Sequence, residues 1–187
     1  AACDLLLVFL SMPDEIDTSE VLRTAFHAGK RVAAPRMEGA EIVFAALDES
    51  WESLPRDGLG IPTPPADIEP LSLDEILERK VLALVPGLLF DARGGRLGRG
   101  RGYYDRFLAA ALSRLEGTEP GSSDDSRQPT SCGDRAFSSP AALGGFFVPC
   151  GFCYRAQVVE EVPKGESDIL IPLIATEEGL YSVNDSP

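Results

Sequence analysis

A segment rich in glycine and arginine, placed between two apolar segments, constrains the fold of this chain more than any other feature. The sequence runs from "VLALVPGLLF" (residues 81–90) through "DARGGRLGRGRG" (residues 91–102) into "YYDRFLAAALSRL" (residues 103–115). The first segment is apolar throughout, as in a buried strand, and the last has apolar residues at helical spacing. We therefore predict a strand, a glycine-rich loop and a helix in direct succession, as in α/β folds.

The loop itself has the composition of a phosphate-binding segment. Gly98, Gly100 and Gly102 alternate with Arg99 and Arg101. Glycines let the backbone turn tightly and bring its N–H groups close to an anion, while guanidinium groups donate to the oxygens of that anion. A helix that follows directly adds the positive end of its dipole. The spacing matches neither Walker A nor the dinucleotide pattern G-x-G-x-x-G, so it specifies an anion without specifying a known nucleotide motif.

Predicted strands and helices alternate along the rest of the chain. Strands are expected within residues 3–11, 31–35, 41–47, 146–154 and 167–176, and helices within residues 17–30 and 72–80. In the first helix, Asp17 or Thr18 is the expected N-cap and Gly29 the expected end. This alternation predicts a single α/β domain that has a mainly parallel or mixed sheet flanked by helices. In such a sheet, ligands bind at the carboxyl ends of the strands.

Two segments lack the pattern of regular structure. Residues 54–70, "LPRDGLGIPTPPADIEP", are rich in proline and glycine and predict a surface loop or lid. Residues 116–145 consist mainly of Gly, Ser, Pro and Asp, with little aliphatic periodicity. Such a segment buries too little apolar surface to offset the entropy of ordering, so we expect a disordered or flexible insertion there.

The overall charge argues against several classes of partner. The chain has 187 residues, of which 44% are hydrophobic, and a formal net charge of -13. Coating of nucleic acid or of an anionic membrane requires a basic face, and no apolar run reaches the ~20 residues that span a bilayer. An arginine-glycine tract that binds RNA is the alternative interpretation of residues 91–102, which the acidic remainder disfavours. We expect a monomer in the cytoplasm that acts on small molecules.

The cysteines and the single histidine exclude two kinds of chemistry. Cys150 and Cys153 form "CGFC", but a thioredoxin-like dithiol needs a strand-to-helix turn, and the surrounding sequence is apolar and typical of a strand. Residues three apart in a strand point to opposite faces, so we interpret both as plain reduced thiols, like Cys3 and Cys132. His27 lies in a predicted helix, where we expect it to face solvent, and a histidine-based triad is excluded.

Asp105 follows the glycine-rich loop and raises an electrostatic question. A carboxylate beside bound phosphate is unfavourable unless a cation lies between them, and Mg²⁺ accepts one or two carboxylates together with phosphate oxygens. The alternative is an ordinary acidic residue in the first turn of a helix, stabilised by the helix dipole. The residue alone leaves both interpretations open.

Three segments together resemble the 5-formyltetrahydrofolate cyclo-ligase family, also called methenyltetrahydrofolate synthetase. They are "VPGLLFDARGGRLGRGRGYYDRFL", "FLSMPDEIDTSEV" and "QVVEEVPKGESDILIPLIATEEGL", and the element "RLGRGRGYYD" is highly specific. The resemblance runs from about Ala1 to Tyr181 without the 116–145 insertion. It implies ATP-dependent cyclisation of 5-formyltetrahydrofolate to 5,10-methenyltetrahydrofolate, with release of ADP and phosphate. The formyl oxygen attacks the γ-phosphate, and N10 then attacks the activated carbon and expels phosphate.

The resemblance also implies the site residues. ATP would contact Arg96, Leu97, Gly98, Arg99, Gly100, Arg101, Gly102, Tyr103 and Tyr104. The folate would contact Leu10, Glu15, Arg99, Gly100, Arg101, Gly102 and Tyr103, with the Glu15 carboxylate accepting from pterin N–H groups. Magnesium would bind Asp105 and Asp168, and the catalytic groups would be Arg99, Arg101 and Asp105. The two arginines would neutralise charge on the transferring phosphoryl group.

Three departures from the family pattern have consequences for the expected activity. Family members begin with a helical segment whose Lys and Arg contact ATP, whereas this chain begins at Ala1 in its first strand. We therefore expect a domain without that segment, which leaves an organellar form open and admits an alternative function, binding of nucleotide or folate without catalysis. Leu59 and Gly60 stand where many members have an aromatic residue before "IP", which weakens stacking on the folate ring. The insertion is the third departure.

Overall fold

An eight-stranded sheet forms the centre of the molecule. The computed structural model describes residues 3–58, 60–117, 147–165 and 168–183. In chain order, the strands of this sheet are β1 (Leu5–Leu7), β2 (Arg31–Glu38), β3 (Glu41–Leu47), β4 (Pro70–Leu71), β5 (Val81–Val85), β8 (Phe147–Phe152), β10 (Leu173–Thr176) and β11 (Gly179–Ser182). The remaining numbers belong to a second, three-stranded sheet of β6 (Leu89–Asp91), β7 (Arg96–Leu97) and β9 (Val158–Val159).

The large sheet is parallel in its centre and antiparallel at its edges. Its strand order is β11-β10-β8-β5-β1-β2-β3-β4. Strand β1 pairs in parallel with β2 and β5, and the parallel pairing continues through β8 to β10. Strands β3, β4 and β11 are antiparallel to their neighbours. The prediction of a mainly parallel or mixed sheet is confirmed, and the carboxyl ends of β1, β2, β5 and β8 lie at one edge.

Three helices flank the sheet. Helix α1 (Ser19–His27) packs on one face, and α2 (Leu73–Leu77) and α3 (Tyr103–Leu115) pack on the other. Thr18 occupies the N-cap position of α1, and the helix ends at His27, just before Gly29. All three helices lie where the sequence predicted them, and α3 begins and ends at the predicted residues.

Alternation along the strands separates two apolar cores. On one face of the sheet, Leu5, Leu7 and Phe44 pack with Leu108 and Leu112 of α3. On the other face, Leu6, Val8, Val32 and Trp51 pack with Leu22 of α1. Since burial of a Leu side chain contributes about 1.5–3 kcal/mol, these two layers fix the register of the central strands.

The prediction of one strand over residues 81–90 is wrong. Pro86 and Gly87 separate β5 from β6, and β6 belongs to the second sheet. Proline has no N–H to donate to a sheet. A Cβ at Gly87 would lie 2.8 Å from ring atoms of Phe90, so glycine is required where the chain turns over that ring. The predicted loop is also partly strand, because β7 pairs with β6 as a hairpin.

The cysteines have the environment that the sequence predicted. Cys150 lies in β8 and packs in the core beside α1, whereas Cys153 packs in the opposite core. Burial raises the pKa of the Cys150 thiol to about 12 and that of Cys153 to about 11. Both are free thiols, as is Cys3, and Cys132 lies outside the described residues. The thiols of Cys150 and Cys153 therefore stay protonated at neutral pH, which does not suit redox chemistry.

Three further expectations concern His27, the predicted insertion and membrane-spanning helices. His27 is exposed at the end of α1, as expected. Leu59 and residues 118–145 of the predicted insertion lie outside the described residues, so the insertion stays a prediction. In the ranges that the structure describes, no helix has the length and apolar character needed to cross a membrane.

Candidate active site

A cavity of about 810 Å³ opens at the carboxyl edge of the central strands. Phe9 and Leu10 follow β1 into it, residues 86–88 follow β5, and residues 96–105 form a wall. Glu15, residues 61–63 and Asp168 also belong to the lining, as do residues 35–37 of β2. Every residue that the sequence assigned to the site therefore lines one cavity. Its volume lies in the range of about 300–1,000 Å³ typical of small-molecule sites.

The glycines of the loop adopt conformations that other residues rarely adopt. Gly100 and Gly102 have φ values of +80° and +64°, in the left-handed region. A Cβ at Gly102 would also lie 3.2 Å from Nη1 of Arg106. The glycines thus let the backbone turn tightly, and the arginine side chains between them are exposed.

The loop presents a row of backbone donors. The first backbone hydrogen bond of the i to i−4 pattern in α3 runs from the Arg106 N–H to Gly102 O (3.0 Å). Among the residues that the structure describes, none accepts a hydrogen bond from the N–H groups of residues 99–105. Successive free N–H groups at the start of a helix form an anion site, because they combine donors with the positive end of the helix dipole.

The three arginines in this wall are in different states. Arg96 is nearly buried, with 6% of its side chain exposed, and it donates to Asp105 Oδ1 at 2.5 Å. Arg99 donates to Asp14 Oδ2 at 2.8 Å and lies 4.0 Å from Glu15 Oε1. Arg101 is exposed and forms no ion pair within the described part of the chain. Arg101 is thus free to contact a ligand, Arg99 can exchange an exposed partner, and Arg96 is fixed.

Asp105 has a cation beside it already. It lies in the first turn of α3, where the helix dipole favours a carboxylate, and it pairs with Arg96. Of the two interpretations that the sequence left open, the geometry supports an acidic residue in the first turn of a helix, and Asp105 needs no metal ion to balance its charge. A metal role for Asp105 has to rest on other grounds.

Asp105 and Asp168 fit a magnesium ion that arrives with phosphate. Both line the cavity, and Asp168 Oδ2 accepts from the Gly165 N–H at 2.7 Å. Within the described ranges, no three His, Cys, Asp or Glu side chains form a cluster that could hold a metal. Mg²⁺ bound to a nucleotide needs only one or two protein carboxylates, since phosphates and waters supply its other ligands. Two carboxylates in the lining suit that mode by their chemistry, and they do not form a complete cage.

Glu15 faces the loop from the opposite wall. It lies between β1 and α1, and its Oε2 accepts from the Met12 N–H at 3.0 Å. Burial raises the pKa of Glu15, and the Met12 hydrogen bond and the Arg99 charge oppose that effect only in part. Leu10 is buried and lines the same cavity. Leu10 and Glu15 thus line the same cavity as the predicted folate contacts in the loop.

Two buried donors in the cavity wall lack partners. Among the described residues, Arg96 Nε and the Tyr104 hydroxyl are the buried side-chain polar atoms without a hydrogen bond. The Arg96 guanidinium carbon lies 6.0 Å from the centre of the Tyr104 ring. Burial raises the pKa of Tyr104, so its hydroxyl stays a donor. Buried donors of this kind need an explanation, and a bound ligand or water supplies one.

The sequence did not identify Asp91, whose carboxylate holds the first residues of the loop by backbone hydrogen bonds. Its carboxylate is fully buried and accepts from the N–H groups of Arg93 (2.8 Å), Gly95 (2.9 Å) and Val162 (2.9 Å). Burial by itself raises the pKa of Asp91, but these hydrogen bonds and the nearby Lys164 outweigh it and lower the pKa. The available signal was an Asp with two glycines three and four positions later, as in a turn. Its link to Val162 could not be read from spacing.

Arg36 was missed for the same reason. It is 7% exposed, and its Nη1 donates to the carbonyls of Pro65 (2.5 Å) and Ile68 (3.0 Å). Its Nη2 pairs with Glu38 at 2.6 Å. These contacts attach residues 54–70, the predicted loop or lid, to β2. Residues 61–63 of that loop line the cavity, so the loop is part of its wall.

Comparisons with known proteins agree on one family. The model of the 5-formyltetrahydrofolate cyclo-ligase family matches residues 3–122. The Mus musculus 5-formyltetrahydrofolate cyclo-ligase is 34% identical over 116 residues, which cover 58% of this chain and 55% of that protein. The Escherichia coli K12 protein of the same name is 28% identical over 175 residues, covering 90% of this chain and 75% of the relative. An Arabidopsis thaliana relative is named mitochondrial.

Solved structures support the fold. The chain matches the Aquifex aeolicus 5,10-methenyltetrahydrofolate synthetase with a TM-score of 0.62 and 23% identity, covering 98% of this chain and 73% of that one. It matches the Mycoplasma pneumoniae 5,10-methenyltetrahydrofolate synthetase with a TM-score of 0.52 and 16% identity. The match to the Mus musculus relative spans about half of that protein's length.

Proposed function

Because this chain belongs to the 5-formyltetrahydrofolate cyclo-ligase family, as the match over residues 3–122 shows, we propose that it catalyses the ATP-dependent cyclisation of 5-formyltetrahydrofolate. One observation supports this most strongly. A single cavity has an anion-binding loop on one wall and a half-buried carboxylate, Glu15, on the opposite wall. A reaction that transfers a phosphoryl group from ATP to the formyl group of a reduced folate requires both.

The loop would bind ATP through its backbone. The free N–H groups of residues 99–105 would donate to phosphate oxygens, and Arg99 and Arg101 would add charge. Arg99 must first leave Asp14, which costs little because both side chains are exposed. Arg101 needs no such exchange. These contacts stabilise the charge that develops on the phosphoryl group, which is the main demand of phosphoryl transfer.

The opposite wall would orient the folate. Glu15 would accept from pterin N–H groups, and Leu10 offers an apolar surface in the same cavity. With both substrates held, the formyl oxygen attacks the γ-phosphorus and ADP leaves. N10 then attacks the formyl carbon and loses its proton to solvent, the C–O bond breaks, and inorganic phosphate departs with that oxygen. Arg99 and Arg101 would meet the negative charge in both steps.

Asp105 and Asp168 would hold magnesium on the nucleotide phosphates. When bound, the ion neutralises part of the charge on the phosphate oxygens. The carboxylate of Asp105 would keep its bond to Arg96 through Oδ1. A monomer and a cytoplasmic location remain our predictions for this chain.

An absorbance assay on the purified chain tests the proposed function. With ATP, magnesium and 5-formyltetrahydrofolate, we expect the methenyl chromophore to appear together with ADP, and neither to form when one substrate is omitted. Excess chelator should abolish turnover, and turnover in its presence would overturn the metal assignment. Binding of ATP and folate without product would instead support a binding protein. Salt-dependent binding of single-stranded RNA would support the arginine-glycine tract interpretation.

A further inference from the structure

The start of α3 is attached to the turn between β2 and β3. Arg106 Nη1 donates to Arg101 O at 3.0 Å, and its Nη2 donates to Ala40 O. Its Nε lies 3.8 Å from Glu41 Oε1. One guanidinium group therefore joins the last residues of the anion-binding loop to a hairpin more than sixty positions earlier in the chain.

Tyr103 reinforces this attachment. Its hydroxyl donates to Gly39 O at 3.2 Å, and the Arg106 guanidinium carbon lies 5.3 Å from the centre of its ring. Tyr103 lines the cavity, as do Arg36 and Met37 of β2. Arg106 does not line the cavity, so it contacts the site only through these neighbours.

The contact to Arg101 O fixes the orientation of one peptide group. A trans peptide is planar, and its C=O and N–H point in opposite directions. Because the carbonyl of Arg101 points to Arg106, the N–H of Gly102 points away from Arg106. Within the described ranges, that N–H has no acceptor. Gly102 lines the cavity, so its N–H is available to an anion there.

We propose that Arg106 is a positioning residue, which holds the anion-binding loop against the β2–β3 turn so that its N–H groups stay directed at the triphosphate. This inference rests on the proposed function for the identity of the anion. A single guanidinium can serve both carbonyls because its planar fork has several donors in fixed directions. A lysine in its place keeps the positive charge but lacks the planar set of donors that reaches both carbonyls.

Arg114 provides a matched control on the same helix. It is similarly exposed and pairs with Asp74 of α2, through Nε–Oδ1 (2.8 Å) and Nη2–Oδ2 (3.1 Å). It lies outside the cavity lining. Arg106→Ala and Arg114→Ala each remove an exposed arginine that connects α3 to a neighbour. Only the first contacts the loop.

The experiment compares Arg106→Ala, Arg106→Lys and Arg114→Ala in the full chain. We expect Arg106→Ala to lower kcat/KM for ATP by about tenfold or more, since small misplacements at a reacting centre cost up to about a hundredfold. The thermal midpoint should change no more than in Arg114→Ala, and the KM for folate should change less than kcat/KM for ATP. Arg106→Lys should have a kcat/KM for ATP close to that of Arg106→Ala. Tyr103→Phe should also lower kcat/KM for ATP, but by less. Amide hydrogen exchange should quicken at residues 38–41 and at residues 106–109, which include the first hydrogen-bonded amides of α3, in Arg106→Ala only.

The outcomes separate this inference from the proposed function. Equal kcat/KM values for Arg106→Ala and Arg114→Ala, or full activity in Arg106→Lys, would overturn the positioning role. Absence of turnover in the wild-type chain would count against the proposed function. In that case hydrogen exchange decides the inference: faster exchange at both segments supports it, and unchanged exchange overturns it.

Discussion

At the scale of single residues, the arginines of the site differ in role although they share a sequence context. Six consecutive positions contain Arg96, Arg99 and Arg101, and the sequence assigned all three to phosphate binding. Their differences arise from partners elsewhere, because Arg99 pairs with Asp14, 85 positions away, and Arg96 with Asp105. Sequence spacing identifies the segment, whereas long-range contacts decide which guanidinium groups are free.

The freedom of Arg101 leads to a kinetic prediction. Arg101→Ala should lower kcat by about a hundredfold or more, because the group meets charge that develops only in the transition state. The KM for folate should stay within about threefold of the wild-type value. Steady-state kinetics measure both quantities, with Arg93→Ala as the control, since Arg93 is an exposed arginine of the same segment outside the cavity lining. A rise in KM at constant kcat would contradict this role.

Glu15 leads to a prediction about pH. Burial raises its pKa, so the charged form is unfavourable in the folded chain and stability is lost as pH rises through that pKa. Glu15→Gln removes this loss. The variant should therefore have a higher thermal midpoint than the wild type at neutral pH, and an equal one below about pH 4, where both side chains are neutral. Folate affinity should fall about tenfold or more because a charged acceptor is lost.

Thermal unfolding across that pH range, with folate titration, measures both effects. Asp17→Asn is a suitable control, because Asp17 is an exposed carboxylate in the same segment and lies outside the cavity lining. A variant that is less stable than the wild type at neutral pH would show that the Glu15 charge is stabilising.

At the scale of elements, local signals located most helices and strands but misplaced some boundaries. Helix α3 and strand β3 begin and end at the predicted residues, since each has a clear apolar period. Strand β2 extends to Glu38, beyond the predicted residue 35, because pairing with β3 continues that far. The predicted strand 81–90 was broken by packing of Phe90 against Gly87. Where tertiary contacts determine the end of an element, the hydrophobic period of the sequence does not predict that end.

Asp91 connects two elements, and its substitution tests that connection. Asp91→Asn keeps the size but places an N–H₂ group against backbone donors, so we expect the free energy of unfolding to fall by about 2–3 kcal/mol. Because hydrogen bonding lowers the pKa of Asp91, its stabilisation is present above the unfolded pKa and is lost as pH falls through the folded pKa. The difference between the two proteins should therefore shrink in acid.

Urea unfolding at several pH values measures that difference. Asp48→Asn is the control, because Asp48 is exposed and accepts from the Ser50 N–H in a local turn (2.8 Å). Equal losses in the two variants would show that Asp91 does not hold the β6–β7 turn to Val162.

At the scale of the whole molecule, the sequence predicted the class of fold and a set of residues that line one cavity, and missed the contacts that hold the walls of that cavity. Parallel strands with their carboxyl ends at one edge follow from the order of elements, and the cavity lies at that edge. The three-stranded sheet and the contacts of Arg36 with Pro65 and Ile68 depend on distant backbone groups. No periodicity encodes them. The resemblance supplied the substrates, which the geometry alone does not name.

Transfer of labelled oxygen tests the central claim most directly. If the formyl oxygen attacks the γ-phosphorus in this cavity, that oxygen leaves with the phosphate. The purified chain, given 5-formyltetrahydrofolate labelled with ¹⁸O in the formyl group, should release one labelled inorganic phosphate for each methenyl product, as mass spectrometry measures it. Unlabelled phosphate released alongside product would contradict phosphorylation of the formyl oxygen, and ATP hydrolysis without product would contradict the assignment of the cavity as the cyclo-ligase site.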